Sequence, residues 1–403
     1  MKKIPEIRFP EFSGEWIEKR LGEIGKIVTG TTPSTKQKNY WNGNILFVTP
    51  LDIQENKYIS NTNRKISKEG LSKTRIAKKG SVLFVCIGST IGKVAIVNKN
   101  VGFNQQINAI FSEEYNNELL YYVLLKKSKK IALLAGEQAV PIINKTEFSK
   151  IKIHIPPTLD EQKKIADFLS SVDEKIEIVS KKLKELKKYK KGLLQKLLNV
   201  KKGEPELRFK GFSGKWVEKR LGEIVEKAKS GGTPKSTVKK YYNGNIPFLS
   251  INDMTKQGKY ITKTAKTISE DGLKNSSAWI VPINSIIYSM YASVGFVSIN
   301  KIPLATSQAV INLVIKDKYN VDYIYYYLFW FKKYVHRYIE TGTQGNLNAQ
   351  IVKNLKIHIP PTLGEQKKIA EFLSSIDEKI ELNEKRLKAL KKYKQGLLQK
   401  MFV

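Results

Sequence analysis

KIHIPPTLDEQKKIADFLSSVDEKIEIVSKKLKELKKYKKGLLQK, residues Lys152–Lys196, returns nearly unchanged at Lys356–Lys400, with 36 of 45 positions identical. In each copy a Thr-x-x-Glu box directly after two prolines, Thr158–Glu161 and Thr362–Glu365, predicts a helix start. Apolar residues then recur at alternating spacings of four and three, and Lys190 interrupts the pattern in the first copy. We therefore predict a long coiled-coil helix that occurs twice.

The apolar positions define a narrow seam along each helix. An isolated heptad helix cannot bury its seam, so we expect the two copies to pair antiparallel, with a parallel homodimer of chains as the alternative. Asn383 either fixes the register of this seam or turns to solvent, and Gly203 and Pro205 are predicted to end the first helix. The predicted seam residues are Ile165, Leu169, Val172, Ile176, Leu183, Leu186, Ile369, Leu373, Ile376, Ile380, Leu387 and Leu390.

A second repeat shows that the whole chain is duplicated. Residues 5–24 and 205–224 are identical at 15 of 20 positions, and 403 residues suffice for two cores. Mixed short strands and helices predict an α+β fold, with two duplicated globular domains at opposite ends of an antiparallel pair of long coiled-coil helices. The predicted boundaries are 1–155 for the first domain, 156–202 for the first helix, 203–359 for the second domain and 360–403 for the second helix.

The middles of the two halves diverge, but polar loops recur at equivalent places. A Gly-, Pro- and Thr-rich loop lies at 29–36 and 229–237, and amide-bearing turns follow near Gln105 and Gln308. Glutamine and asparagine suit bidentate contacts to adenine, and lysine, serine and threonine suit guanine edges and phosphates. Taken singly, each such residue is explained by ordinary surface chemistry, but their recurrence with different side chains favours DNA contact. The predicted DNA-contacting residues are Thr31, Thr32, Ser34, Lys36, Lys38, Gln105, Gln106, Gln138, Thr233, Lys235, Ser236, Lys239, Gln308, Thr343, Gln344 and Asn346.

The net charge is the strongest compositional signal. The chain has 71 Lys+Arg against 37 Asp+Glu, a net charge of +34, which is self-repelling unless a polyanion or acidic partner binds. Nucleic acid fits, because counterion release drives binding to phosphates. The alternatives are a lysine-rich composition with solvated faces, or basic helices that lie on a membrane surface.

The few cysteines and histidines argue against a metal site. Cys86 is the only cysteine, which excludes an internal disulfide and a cysteine-based zinc site, and His154, His336 and His358 are predicted to be structural. The first ten residues lack an apolar signal-peptide core. The uncharged run Trp279–Ile299 contains Pro, Gly and many β-branched residues, so it is predicted to form buried strands and not a membrane span. We expect a cytoplasmic chain.

Catalytic motifs are scarce. Gly88–Lys93, GSTIGK, is one residue short of a phosphate-binding P-loop and lacks the hydroxyl residue after lysine. Dinucleotide, zinc-hydrolase and serine-hydrolase motifs do not occur in the sequence. Asp173–Lys175, in the middle of the predicted helix, is interpreted as solvated or partner-facing and not as a metal-nuclease site. No catalytic residue is predicted, and a binding module is the simplest interpretation.

The order of two divergent regions, each followed by a nearly identical long helix, resembles the specificity subunit of type I restriction–modification systems. The resemblance covers essentially the whole chain. It rests on RFxxFSGxWxEKRLGEI at the start of each half, Thr-Pro at Thr32 and Thr233, GSTIGK at Gly88, and IPPTLxEQKKIA around Pro156 and Pro360. The second half departs from the family pattern at the GSTIGK position, where it reads ASVGF.

The resemblance implies that each half is a target recognition domain that reads one half of a bipartite, asymmetric DNA site, with the helices setting the gap. It implies three partners: double-stranded DNA, two modification (M) subunits that methylate adenine at N6 with S-adenosylmethionine, and restriction (R) subunits that add ATP- and Mg-dependent translocation and cleavage. No cofactor is expected in this chain, which is not itself catalytic. Other classes remain as alternatives: a basic coiled-coil protein that binds RNA or membrane without sequence specificity, or a nuclease or methyltransferase acting alone.

Overall fold

A computed structural model of the chain describes residues 3–136, 140–291, 293–338 and 346–403. The fold divides into two compact units: unit 1 comprises Met1–Lys182 and Asn383–Val403, and unit 2 comprises Leu183–Leu382. Each unit thus holds one globular half, the first part of one long helix and the last part of the other. Among the described residues, no helix has both the length and the apolar character needed to cross a membrane.

Unit 1 is built from short strands, short helices and part of a long helix. Its strands are β1 (Ile17–Arg20), β2 (Lys26–Thr29), β3 (Trp41–Val48), β4 (Tyr58–Ile59), β5 (Arg64–Ile66), β6 (Ile76–Ala77), β7 (Val82–Val85), β8 (Val94–Val97), β9 (Val101–Phe103), β10 (Ile107–Phe111) and β11 (Lys152–Ile155). Its helices are α1 (Leu21–Ile24), α2 (Lys68–Ser72), α3 (Asn117–Ala132), α4 (Lys145–Lys150) and the first part of α5 (Leu159–Leu198), with 3-10 turns at Lys38–Tyr40 and Leu133–Ala135.

The central sheet of unit 1 is covered on both faces. Five strands are ordered β2-β10-β7-β8-β4, and a second sheet of four strands is ordered β5-β3-β9-β6. Alternate residues of β7 enter different cores: Val82 and Phe84 pack with residues of α3 and α5, whereas Leu83 and Val85 pack with residues of the four-stranded sheet. Burial on both faces explains why β7 reads as a continuous apolar run and not as an alternating one.

The two long helices are antiparallel within unit 1. Near the start of α5, the carboxylate of Glu161 accepts a 3.2 Å hydrogen bond from the indole of Trp16, which packs edge-on against Phe402 with ring centroids 6.0 Å apart. Further along α5, Asp173 forms an ion pair with Lys394. As α5 advances, its neighbour therefore runs backwards in sequence, which confirms the predicted antiparallel pairing in this unit.

Unit 2 has a similar order of elements, with an additional hairpin β12–β13, an additional helix α7 and, among the described residues, no counterpart of β6. Its strands are β12 (Val200–Lys201), β13 (Glu204–Pro205), β14 (Val217–Arg220), β15 (Val225–Ser230), β16 (Tyr242–Leu249), β17 (Tyr260–Ile261), β18 (Lys266–Ile268), β19 (Ile286–Ser289), β20 (Val297–Asn300), β21 (Ala305–Thr306), β22 (Val310–Ile315) and β23 (Lys356–Ile359). Its helices are α6 (Leu221–Ile224), α7 (Ile251–Gln257), α8 (Glu270–Lys274), α9 (Val321–Phe331), α10 (Ala349–Asn354) and the first part of α11 (Leu363–Lys400), with 3-10 turns at Lys239–Tyr241 and Lys332–Tyr338.

The central sheet of unit 2 repeats the topology of unit 1. Its order, β15-β22-β19-β20-β17, matches the five-stranded sheet of unit 1 strand for strand. The predicted buried strands of the Trp279–Ile299 run are β19 and most of β20, all of whose residues are buried. The predicted α+β class with two duplicated domains is therefore confirmed.

The predicted seam residues are all buried or half-buried. The six nearest the starts of α5 and α11, among them Leu169 and Leu373, are buried, and the six further along, among them Leu186 and Leu390, are half-buried. Asn383 is only 8% exposed, so it is buried in the seam and not turned to solvent.

The end of helix α5 differs from expectation. Helix α5 ends at Leu198, earlier than Gly203 and Pro205 predicted, because the next residues form the β12–β13 hairpin. Lys202 and Gly203 form its turn with φ of 53° and 86°, the left-handed region that glycine favours. The turn residues that were expected to stop the helix therefore serve the hairpin.

Only one of the two hydrogen bonds of each predicted capping box forms, the one from the Glu backbone to the Thr hydroxyl. The backbone N–H of Glu161 donates to the Thr158 hydroxyl at 3.4 Å, but the 1%-exposed Glu161 side chain is used elsewhere. Its carboxylate accepts hydrogen bonds from Arg8 Nε at 2.7 Å, Arg8 Nη2 at 2.8 Å and the Trp16 indole. Arg208, Trp216 and Glu365 repeat these contacts in unit 2. This Arg–Glu–Trp clamp (Arg8, Trp16 and Glu161; Arg208, Trp216 and Glu365) explains why both sequence repeats occur together.

Asp173 is not solvated as predicted. Its side chain is 17% exposed, accepts a 2.7 Å hydrogen bond from the Tyr122 hydroxyl, and pairs with Lys394. Glu174 and Lys175, the next two residues, are exposed. The structure excludes the solvated alternative for Asp173, which lies inside a polar cluster of unit 1, and the partner-facing alternative for this segment stays a prediction.

Candidate nucleic-acid interface

Four loop segments of unit 1 meet at one edge of its five-stranded sheet. Strands β2 and β7 end at this edge and β10, which lies antiparallel between them, begins there. The loops are joined by backbone hydrogen bonds from Thr31 to Phe103 at 2.9 Å, from Cys86 to the Gln106 carbonyl at 2.8 Å, and from Gly88 to the Pro141 carbonyl at 3.0 Å. We call residues 30–38, 86–93, 104–106 and 140–143 the recognition edge of unit 1.

Unit 2 has an equivalent edge. The backbone N–H groups of Gly231 and Gly232 donate to the carbonyls of Val310 and Thr306 at 3.3 and 2.9 Å, and Leu347 donates to Met290 at 3.0 Å. We call residues 231–239, 290–291, 293–296, 306–308 and 346–348 the recognition edge of unit 2. Glycine is required where the first loop passes the amide turn, because a Cβ at Gly231 would collide with the Thr306 carbonyl.

A threonine–glutamine contact links two predicted loops in each unit. The Thr32 hydroxyl donates to Gln105 Oε1 at 2.6 Å, and the Thr233 hydroxyl donates to Gln308 Oε1 at 2.5 Å. Both glutamines are exposed. Holding the amide oxygen orients an exposed side chain whose amide nitrogen can donate to a base edge.

An aromatic residue of the neighbouring strand supports the Thr-Pro loop in each unit. The Trp41 indole donates to the Ser34 carbonyl at 3.1 Å, and the Tyr242 hydroxyl donates to the Pro234 carbonyl at 2.5 Å. The repeated NGNI motif follows each aromatic residue, and Asn42 and Asn243 adopt a φ of 60° at a bulge in the strand. The motif thus positions the loop support.

Most of the predicted DNA-contacting residues that the structure describes are exposed. The exposed ones are Thr31, Ser34, Lys36, Lys38, Gln105, Thr233, Lys235, Ser236, Lys239 and Gln308, and the half-buried ones are Thr32, Gln106 and Asn346. Gln138, Thr343 and Gln344 lie outside the described residues. All of these remain predictions as DNA contacts.

The amide of Gln106 is engaged within its own turn. Its Oε1 accepts from Asn104 Nδ2 at 2.9 Å, and its backbone N–H donates to Asn104 Oδ1 at 3.2 Å. These two bonds shape the turn that presents the neighbouring Gln105. Gln105 is therefore the better placed of the two for a base.

Sequence reasoning missed several cationic groups at these edges. In unit 1, the exposed Arg75 donates to the Thr29 carbonyl at 2.9 Å, where β2 enters the first loop. In unit 2, Lys332 lies over the Phe296 ring at 4.8 Å, and its pKa is lowered by burial. The same 3-10 turn, Lys332–Tyr338, also carries Lys333 and Arg337, both over the Tyr334 ring. The basic run KKYVHRY, residues 332–338, could have indicated these cations, but in the sequence it looks like the end of the buried aromatic helix.

The corresponding 3-10 turn of unit 1 is apolar instead of basic. Leu133 and Leu134 are 82% and 62% exposed. The carbonyl of Ser128, on the last turns of α3, would lie 3.1 Å from a Cβ at Gly92, so this end of α3 adjoins the recognition edge. The two units thus present different chemistry from the same frame.

The thiol and two of the three imidazoles, those of His154 and His358, occupy structural positions, whereas His336 is exposed. Burial raises the pKa of Cys86 to about 12, which keeps the thiol protonated and unreactive. His358 Nδ1 lies 3.0 Å from the Tyr327 hydroxyl, and burial lowers the pKa of both His154 and His358. Within the described ranges, no group of three or more His, Cys, Asp and Glu residues is placed to hold a metal ion.

Comparison with known proteins gives a consistent family assignment. The family model described as the type I restriction modification DNA specificity domain matches residues 13–188 and 213–392. The MjaIX type I restriction enzyme specificity subunit of Methanocaldococcus jannaschii is 29% identical over 96% of this chain and 92% of its own length. The HindI specificity subunit of Haemophilus influenzae is 30% identical over 46% of this chain and 41% of its own length.

A solved structure shares the fold. The crystal structure of a type I restriction–modification S subunit from M. genitalium superposes with a TM-score of 0.68 at 18% identity, covering 99% of both chains.

Proposed function

This chain belongs to the family of type I restriction–modification DNA specificity subunits, and we propose that each of its units reads one half of a bipartite, asymmetric DNA site. The observation that carries the proposal is the contrast between frame and edge. The Arg–Glu–Trp clamp, the sheet order and the Thr–Gln contact recur in both units, whereas the side chains of the recognition edges differ. One frame with two different reading edges suits two unlike half-sites.

The chemistry of the edges supports DNA as the ligand. Exposed Gln105 and Gln308 offer amides to base edges, and Arg75, Lys36 and Lys235 offer cations to guanine or phosphate. The charge of +34 supplies the sequence-independent part of binding through counterion release.

Specificity subunits of this family assemble with the other restriction–modification subunits and bind DNA. We infer that α5 and α11 dock two M subunits and set the gap between half-sites, and that R subunits join the assembly. Methylation of adenine with S-adenosylmethionine, and ATP- and Mg-dependent cleavage, then belong to those partners, while this chain is non-catalytic and carries no cofactor. The proposal places the chain in the cytoplasm, together with the DNA that it reads.

The test is to co-express the chain with its M subunit in a host without adenine methylation and to map N6-methyladenine across the genome. One asymmetric motif, made of two short half-sites with a fixed unspecified gap, is the expected result. Absence of methylation, while the same M subunit is active with another specificity chain, would refute the proposal.

A further inference from the structure

A cluster of half-buried charges, with Lys57 buried among them, lies between the globular half and the helix pair in each unit. Both contain two cations and two carboxylates, together with a tyrosine and a serine. Polar cluster 1, in unit 1, consists of Lys57, Glu118, Tyr122, Ser170, Asp173 and Lys394. Polar cluster 2, in unit 2, consists of Lys259, Asp322, Tyr326, Ser374, Asp377 and Lys190.

Polar cluster 1 joins α3, α5, α11 and the loop that precedes β4. Lys57, whose side chain is 5% exposed, donates to the Ser170 hydroxyl at 2.7 Å and pairs with Glu118. The Tyr122 hydroxyl donates to Asp173 Oδ2 at 2.7 Å, and Lys394 Nζ lies 2.5 Å from Asp173 Oδ1. Asp173 is thus held from the recognition domain through one oxygen and from α11 through the other.

Polar cluster 2 repeats the arrangement with the roles of the helices exchanged. Lys259 donates to the Ser374 hydroxyl at 2.9 Å and pairs with Asp322 at 2.8 Å. The Tyr326 hydroxyl donates to Asp377 at 2.7 Å, and Lys190 of α5 pairs with Asp377. Lys190, the residue that interrupts the heptad pattern of α5, is therefore one of the two cations of polar cluster 2.

The Asp–Lys ion pairs of the two clusters disfavour wrong registers of the helix pair more than they stabilise the native register. A buried ion pair contributes little net free energy, but a buried charge that loses its partner is strongly destabilising. If the α11 segment slipped by one heptad along α5 in unit 1, Lys394 would face Ala166 or Ser180 in place of Asp173. Neither residue can accept the charge, so a slip leaves both Lys394 and Asp173 without their partner.

We propose that Asp173 and Lys394, with their counterparts Asp377 and Lys190, are positioning residues that fix the register of the helix pair and thereby the gap between the half-sites. The inference rests on the proposed function. Because α11 continues from one unit into the other as a single helix, any change of its register in unit 1 is carried along it to the second recognition domain.

The experiment compares gap lengths in the N6-methyladenine map of the full chain co-expressed with its M subunit. Lys394→Glu places a second carboxylate beside Asp173 and disfavours the native register. The double variant Asp173→Asn/Lys394→Gln removes both charges but keeps a donor and an acceptor in place. Lys392→Glu, at an exposed position of the same helix, is the matched control.

For Lys394→Glu we expect the same bases to be read, but at more than one gap length. If the preference for the native register falls to about tenfold, sites with other gap lengths should make up roughly a tenth of the methylated sites or more. The double variant and the control are expected to keep the single wild-type gap. An unchanged single gap in Lys394→Glu, with only a lower melting temperature, would show a merely structural role and overturn the inference.

The remaining outcomes are also decisive. If the Lys394→Glu chain does not fold, Lys394→Met replaces it under the same criterion. A wild-type chain that yields no bipartite motif beside an active M subunit refutes the proposed function, and this inference with it. If the wild-type chain yields a bipartite motif with a fixed gap, the proposed function is supported independently of the results for the variants.

Discussion

Replacing Glu161 by alanine is expected to destabilise unit 1 by about 3 kcal/mol, the lower end of the range for breaking a buried ion pair from one side. Glu161 is 1% exposed and accepts three hydrogen bonds, two from Arg8 and one from Trp16. The Arg8 side chain is 11% exposed, so its charge loses the carboxylate with little access to water. The carbonyls of Ser13 and Gly14 still accept from the guanidinium, which is why the lower end applies.

The assay is differential scanning calorimetry of the full chain. A loss of about 3 kcal/mol corresponds to a fall of roughly 6–12 °C in Tm for a unit of about 200 residues. Glu365→Ala is the matched variant in unit 2 and should behave alike. Glu15→Ala is the control, because Glu15 and its partner Lys3 are 63% and 53% exposed and such pairs contribute little. A Tm for Glu161→Ala within error of that for Glu15→Ala would refute the reasoning.

Four further predictions concern DNA. Exchanging residues 25–150 for those of another specificity chain should change one half-site only, and a methylome in which both half-sites change would contradict modular reading. Deleting one heptad from both α5 and α11 should alter the gap but not the bases, and an unaltered gap would exclude the helices as the ruler. Gln105→Ala should relax specificity at one base pair, by about 1–3 kcal/mol of discrimination, in binding assays with single-substitution duplexes. Lys188→Ala, on the exposed face of α5, should instead weaken all sequences alike and lower the salt slope by about 0.9; selective loss for one sequence would contradict that role.

The sequence predicted those features that depend on local periodicity. Heptad spacing predicted the two long helices, and turn chemistry predicted polar loops at matching places of both halves, because spacing and turn chemistry act over a few residues. The seam contacts of the helices and the DNA contacts of these loops stay predictions. The α+β class followed from alternating short strands and helices.

Contacts between residues far apart in sequence escaped prediction. Glu161 fits a capping box perfectly well in sequence, but its carboxylate is taken by Arg8, 153 residues away. Asp173 looks like a solvated residue of a charged helix until Tyr122 and Lys394 are placed beside it. A charged residue on an amphipathic helix carries no local mark of whether its partner is water or a side chain from another element.

Polar clusters 1 and 2 also limit which foreign recognition segments the frame can accept. Although the middles of the two halves diverge, both retain a Lys-Tyr-Ile triplet, at Lys57–Ile59 and at Lys259–Ile261, and a cluster tyrosine, Tyr122 or Tyr326. A segment acquired by recombination that lacks these residues would bring its own DNA preference but leave Asp173 or Asp377 poorly satisfied on the helix. Exchange of these segments can therefore change the bases that are read, provided that each new segment carries the same few residues that anchor it to the helix pair.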